Sequence, residues 1–223
     1  MNELVIFDLD NTLIKGQSQM ILLNYALGKG LINPFFYFRI TFWFVCYKIG
    51  VIKNPRKVME YSFGFFKDKN IDEFKKIINE FFKEKLQNYI FQEAAEIIRK
   101  HKNQNRKVLI ISNAIEFIPQ RVAQFLNVDY FIGTKLEKLN NKFTGKIKGD
   151  IIYGKNKVIA IKDFINKYNF SLNGSWGYSD HSSDLPFLEI VSFSVVVNPD
   201  NNLYKIAKQK NWQILKFKKQ LIK

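Results

Sequence analysis

The chain has 223 residues, 47% of them hydrophobic, which excludes a disordered protein and suits one core domain with a modest insertion. Its formal charge of +15 comes from lysines spread over nearly the whole length with no recognisable nucleic-acid module, so a basic surface that steers anionic ligands is expected and nucleic-acid binding is not. The single cysteine, Cys46, excludes an internal disulfide, and no basic segment followed by a long apolar stretch opens the sequence, so a cytoplasmic setting without a secretory signal is expected.

Taken in order, the apolar run Leu4-Val5-Ile6-Phe7 reads as a short buried strand that ends in Asp8-Leu9-Asp10-Asn11-Thr12. Residues i and i+2 of an extended chain point the same way, so Asp8 and Asp10 can converge on one ligand, and a hard cation such as Mg2+ suits two carboxylates plus substrate phosphate. Taken alone, the stretch also suits a solvated Asp-Asn turn. A helix capped by Ser18 follows and stops at Gly28 and Gly30. A second opens at Asn33-Pro34 and runs to Gly50, a third starts at Asn54-Pro55, and a fourth starts near Asn70, with Glu73 three residues on. Leu31 to Ile52 is the most apolar region, but Arg39 and Lys48 interrupt it, so it is not expected to cross a bilayer.

From Gln92 the pattern alternates. Helices are expected over 94–102, 116–126, 157–168 and 203–210, and strands over 107–111, 130–133, 175–178, 194–197 and 213–215. Residues 143–147 and 151–153 read as a small hairpin with each other. Such alternation implies an α/β fold with a Rossmann-like, doubly wound, mainly parallel sheet, with ligands at the carboxyl ends of the strands. Residues 16–88 read as an inserted all-helical cap domain and residues 1–15 and 89–223 as the core. Two connections, near 14–16 and 86–91, would let the cap hinge like a lid.

Three further stretches lie at the same predicted edge. Ser112-Asn113 follows the strand Val108–Ile111, where a hydroxyl and amides at the start of the next helix can hold a phosphate. Lys157 opens a helix, and Ser179-Asp180-His181-Ser182-Ser183-Asp184 follows another apolar strand and supplies two more carboxylates. Four carboxylates at two strand ends are hard to explain as structure alone.

Together these residues resemble the four motifs of the haloacid dehalogenase (HAD) superfamily of phosphohydrolases: Asp8 to Thr12, then Ser112, then Lys157, then Ser179-Asp180 with Asp184. The stretches Phe143-Thr144-Gly145, Tyr153 to Lys157 and Val197-Asn198-Pro199-Asp200 resemble subfamily IB, the phosphoserine-phosphatase-like branch, whose members carry a helical (C1-type) cap where this sequence places its insertion. The resemblance implies a phosphoric monoester hydrolase in which Asp8 attacks phosphorus to form an aspartyl phosphate and Asp10 serves as acid, then base. It implies Mg2+ held by the Asp8 carboxylate, the Asp10 carbonyl and Asp180, with Asp184 acting through metal-bound water or by orienting Lys157. Ser112, Asn113 and Lys157 would bind the phosphoryl group. His181 is expected to be structural or solvent-facing, because Asp10 fills the base role.

Phosphoserine phosphatases use an acidic cap residue to meet the substrate amine, and here Gly16-Gln17-Ser18-Gln19 stands in that place, so Gln17 and Ser18 are the candidate specificity residues. The aromatic segment around Phe35, Phe36, Phe38, Phe42, Trp43 and Phe44 supports burial against the other cap helices, or an exposed greasy face suited to a lipid phosphate or to peripheral membrane contact without stable insertion. The expected partner is a small phosphomonoester. A phosphatidylglycerophosphate-like lipid, phosphoryl transfer to another acceptor and a non-catalytic scaffold stand as alternatives.

Overall fold

The computed structural model describes residues 3–48 and 55–221. Among these, seven strands form one sheet: β1 (Glu3–Phe7), β2 (Lys107–Ile115), β3 (Tyr130–Leu139), β4 (Lys142–Lys148), β5 (Ser171–Ser179), β6 (Phe193–Val197) and β7 (Gln213–Leu215), in the order β4-β3-β2-β1-β5-β6-β7. Every neighbouring pair is parallel except β3 and β4.

The unbroken apolar run of β1 is explained by helices on both faces of the sheet. Val5 and Phe7 point into one core with Val108, Ile110, Val195 and Val197. That core is closed by Ala94 and Ile98 of α5 (Gln92–Asn103) and Val122 and Ala123 of α6 (Phe117–Leu126). Leu4 and Ile6 point the other way and meet Leu109, Ile111 and Val196 under α7 (Lys155–Tyr168), α8 (Leu185–Leu188) and α9 (Asn201–Gln209). The expected doubly wound α/β fold is present. After β1 the chain builds β2 and β3 on one side, then returns to place β5 on the other. The carboxyl ends of β1 and β5 therefore flank the point where strand order reverses, the usual ligand site of such sheets.

Between β1 and α5 lie α1 (Ser18–Gly28), α2 (Pro34–Lys48), α3 (Pro55–Phe63) and α4 (Ile71–Glu84). Asn33 caps α2, accepting the Phe36 N–H at 2.7 Å, and Asn70 caps α4, accepting the Asp72 N–H at 2.8 Å. The expected end of the second helix at Gly50 and the expected start of the third at Asn54 lie outside the described residues. The Ser18 cap is corrected: Gln17 occupies the cap position without a side-chain bond, and Ser18 is the first helical residue. The aromatic segment divides. Ile40 and Cys46 are buried, whereas Phe35, Phe38, Phe42 and Val45 stand exposed.

The expected hairpin between 143–147 and 151–153 is also corrected. β4 pairs with β3 in antiparallel register, Leu139 opposite Lys142, and the two-residue turn Asn140-Asn141 takes positive φ at both positions. That is the backbone a tight β-hairpin requires, and Asn is among the residues that tolerate it. The ribbon also ties the helical insertion to the sheet, a link beyond the two expected connections. The Asp68 N–H donates to the Phe143 carbonyl at 2.8 Å, and the Phe74 ring sits 5.0 Å from both Phe117 and Phe143.

Candidate active site

Beyond Phe7 the chain turns sharply. The Leu9 carbonyl accepts the N–H groups of Thr12, Leu13 and Ile14, while Asn11 takes a φ of +56° and accepts the Gly16 N–H on its side chain at 2.9 Å. Asp8 stays zipped to β5 through its N–H and the Tyr178 carbonyl at 2.9 Å. Asp10 is held from the opposite side. The first amide of α1, from Ser18, has no partner within its own helix and donates to Asp10 Oδ1 at 2.9 Å.

Lys157 lies at the centre of the charge cluster. From the first turn of α7 its Nζ donates to Asp8 Oδ1 at 2.6 Å and to Asp184 Oδ2 at 2.7 Å, and all three side chains are buried. The Ser179 hydroxyl donates to the same Asp184 oxygen at 2.6 Å, whereas Asp184 Oδ1 is buried without a protein partner. Burial pushes the Asp8 carboxyl well above the usual range. Lys157 opposes that push, and Asp184, Asp180 and Asp10 add to it. Burial raises Asp10 as well, against the Ser18 hydrogen bonding and Lys157, and burial together with Asp184 raises Asp180 to about 7. For Lys157, burial alone would favour the neutral amine, but Asp184 and Asp8 outweigh it and hold the ammonium form. One lysine thus faces four buried carboxylates, a set deficient in positive charge.

Ser112 is fully buried, at the edge the sequence assigned to it, but the surroundings differ from those expected. No helix starts there: β2 runs on irregularly to Ile115, with a register shift between Ile111 and Ile115, and α6 begins only at Phe117. The Ser112 hydroxyl accepts the Ala114 N–H at 3.0 Å, and the Asn113 carbonyl accepts the Thr134 hydroxyl at 2.8 Å. Gly133 on β3 fits against this irregular end. A Cβ there would lie 2.7 Å from Glu116 Cα and 2.9 Å from the Ala114 carbonyl oxygen, both backbone atoms. Gly133→Ala is therefore expected to lower stability by roughly 1–3 kcal/mol, measured by denaturant unfolding, and to shift the backbone that carries Ser112.

His181 is exposed, and its ring accepts the Ser183 N–H at 3.1 Å, a structural position as expected. Gln17 is exposed and Ser18 is buried beneath Asp10. Three positions went unassigned in the sequence. Gln19 reaches toward the Asn113 carbonyl at 3.5 Å, Ser179 fixes Asp184, and Asn11 shapes the loop and lies by Asp180. The signal for Asn11 was available, since Asn is the side chain most at ease with positive φ.

With the carboxylates, the lysine and the buried serine gathered at the strand ends, comparison with known proteins is decisive. The model of haloacid dehalogenase-like hydrolases matches residues 5–189. The chain belongs to this family. Among relatives of this HAD chain, a histidinol-phosphatase of Neisseria meningitidis serogroup C is 29% identical, over 98% of this chain and 100% of its own length. A phosphoserine phosphatase of Mycobacterium tuberculosis is 26% identical, over 95% of this chain and 70% of its own. The HAD fold is shared with a Bordetella pertussis protein of unknown function, with a TM-score of 0.87 at 23% identity, over 96% of this chain and 99% of that one. The chain is thus a HAD-like hydrolase with phosphatases among its relatives, and no helix among its described residues is long and apolar enough to cross a membrane.

Proposed function

We propose that this hydrolase releases inorganic phosphate from a small phosphomonoester through an aspartyl phosphate on Asp8, with Mg2+ as cofactor. The observation that carries the reading is the pairing of two carboxyl groups in different settings: Asp8 bound by Lys157 at 2.6 Å, and Asp10 held apart by the Ser18 amide at 2.9 Å.

Asp8 is kept in register by β5 and supplies the attacking oxygen. As the ester bond breaks, the departing oxygen takes a proton from Asp10, whose burial favours the protonated acid. Asp10 then accepts a proton from the water that attacks phosphorus, and the bond to Asp8 breaks to release phosphate. Lys157 and Ser112 stabilise the phosphoryl oxygens, with the Asn113 segment beside them.

The donor set fits Mg2+. Four carboxylates face one lysine, and one oxygen of Asp184 is buried without a partner, so the cluster lacks positive charge. Mg2+ is commonly held by one or two carboxylates with water and substrate phosphate completing the shell. Asp8, Asp180 and the Asp10 carbonyl would hold it, Asp184 would act through a bound water or through Lys157, and the ion would supply charge neutralisation where carboxylate meets phosphate.

Residues 16–88 act as the cap and 1–15 with 89–223 as the core. Asp8, Asp10 and Lys157 are each under 10% exposed, so substrate entry requires the cap to part from the strand ends. Gln17 and Gln19 carry no charge to pair an ammonium group, which disfavours phosphoserine. The test is phosphate release from phosphoserine, histidinol phosphate, sugar phosphates and lysophosphatidate, with Mg2+ and with chelator. The expected result is Mg2+-dependent turnover, with phosphoserine at least about tenfold below the best substrate. No release from any member would overturn the activity, and phosphoserine as the best substrate would overturn the specificity argument.

A further inference from the structure

Helix α2 is apolar on every side, PFFYFRITFWFVCYK, a composition that ordinarily demands burial all round. Its inner side obeys, with Ile40 and Cys46 buried, but Phe35 (70% exposed), Phe38 (68%), Phe42 (65%) and Val45 (50%) form a solvent-facing row at spacings of three and four residues. Three solvent-facing phenylalanines along one helix face are unusual for a protein surface without a partner.

The charge of the stretch of chain that carries the row narrows what covers it. Between Asp10 and Asp68 the sequence holds eight lysines and arginines, of which Lys29 pairs with Glu84 of α4 at 2.8 Å, and a single acidic residue, Glu60. That carboxylate is already engaged by Arg56 at 2.9 Å and by the Ile147 N–H at 3.1 Å. Arg39 lies on α2 itself, its guanidinium over the rings of Phe35 and Tyr61 at 5.6 and 5.1 Å. An apolar row in so basic a region matches an anionic, apolar-cored surface. A second copy of the chain would bring two such basic regions together, which like-charge repulsion opposes. The row is also a single line of side chains along one helix, so it offers a folded partner little to interlock with, whereas lipid headgroups and acyl chains mould around it.

We propose that the exposed row of α2 seats the helical insertion on the surface of an anionic phospholipid bilayer, with the phenylalanines below the headgroups and the basic side chains among them. The inference concerns where the chain works and stands apart from the catalytic reading.

The test is flotation of the full chain with vesicles of phosphatidylcholine alone and of phosphatidylcholine mixed with phosphatidylglycerol, at low and high salt. Binding to the anionic vesicles, weakened by salt, is expected. The Phe38→Glu/Phe42→Glu variant should lose at least about tenfold in binding while its turnover of a soluble phosphomonoester is unchanged. Circular dichroism checks its fold, and Phe38→Ser, a milder change, should show an intermediate loss. Trp43, stacked on Tyr61 at 4.9 Å, provides a fluorescence report of the same event. The proposal is overturned by absence of flotation with anionic vesicles, by equal flotation of variant and parent, or by sedimentation showing a dimer that the variant dissociates.

Discussion

Asp8→Asn is expected to reduce phosphate release by roughly four orders of magnitude or more, the scale on which enzymes lose activity when a covalent nucleophile is removed. The fold should survive. The amide has nearly the same shape, and the carboxyl it replaces is crowded by burial and by Asp184, Asp180 and Asp10, so losing its charge relieves part of the repulsion. Lys157 gives up one partner but keeps Asp184 at 2.7 Å, so the ammonium is not stranded. Stability is therefore expected to stay within about 1 kcal/mol of the parent, because the desolvation cost falls together with the lost ion pair. Two measurements separate the roles: phosphate release against denaturant midpoint, and acid quenching with labelled substrate, which should leave phosphate on the parent chain and none on the variant. Full turnover by Asp8→Asn would sink the assignment of Asp8.

How far the sequence could be read depended on whether the deciding interaction was local. β1 was legible because four consecutive apolar residues with no alternation imply helices on both faces, as Val5 and Phe7 on one side and Leu4 and Ile6 on the other show. The caps at Asn33 and Asn70 were legible because a side chain that satisfies an amide two or three residues on carries its signal locally. The turn at Asn140-Asn141 is equally local, since two adjacent asparagines suit positive φ, and it fixes the pairing of β4 to β3 in place of the expected hairpin with residues 151–153.

Other features had no local signal. The end of β2 looked like a strand-to-helix turn because its apolar run stops at Ile111, yet the chain stays extended because Thr134 and the close approach of Gly133 hold the far side. Which face of α2 would stay in solvent was likewise beyond the sequence. A helix apolar all round has no moment to point with, and only the packing of its neighbours decides. At the site itself, residue types and order placed Asp8, Asp10, Lys157, Asp180 and Asp184 at the strand ends. The division of Lys157 between Asp8 and Asp184, and the grip of the Ser18 amide on Asp10, depend on distances that only the folded chain sets.

Lys157→Met is expected to be the most destabilising single change at the site. It leaves Asp8 and Asp184 buried without their cation, and breaking a buried pair from one side costs about 3–5 kcal/mol. The pH dependence has a defined sign. Asp8 and Asp180 already have folded-state pKa values above those of exposed carboxyls, and loss of the ammonium, which lowers both, raises them further. A carboxyl whose folded pKa lies above its unfolded value favours folding only while protonated, so parent and variant lose stability alike as pH rises from about 4, and the variant's deficit against the parent should open as pH passes about 7, where Asp180 ionises in the parent and stays protonated in the variant. Added Mg2+ should recover more stability in the variant than in the parent, because the ion would be the only remaining counter-charge for these carboxylates. Phosphate release should fall by roughly two to three orders of magnitude, the cost of removing a preorganised donor from a charge-developing centre. Lys157→Arg should restore little of it, since a planar fork does not fit where a compact ammonium bridges two oxygens. Pairing Lys157→Met with Asp184→Leu removes the second stranded charge and should return much of the stability without the activity. If the single variant unfolds at the parent's midpoint across that pH range, the ion-pair account of the site fails.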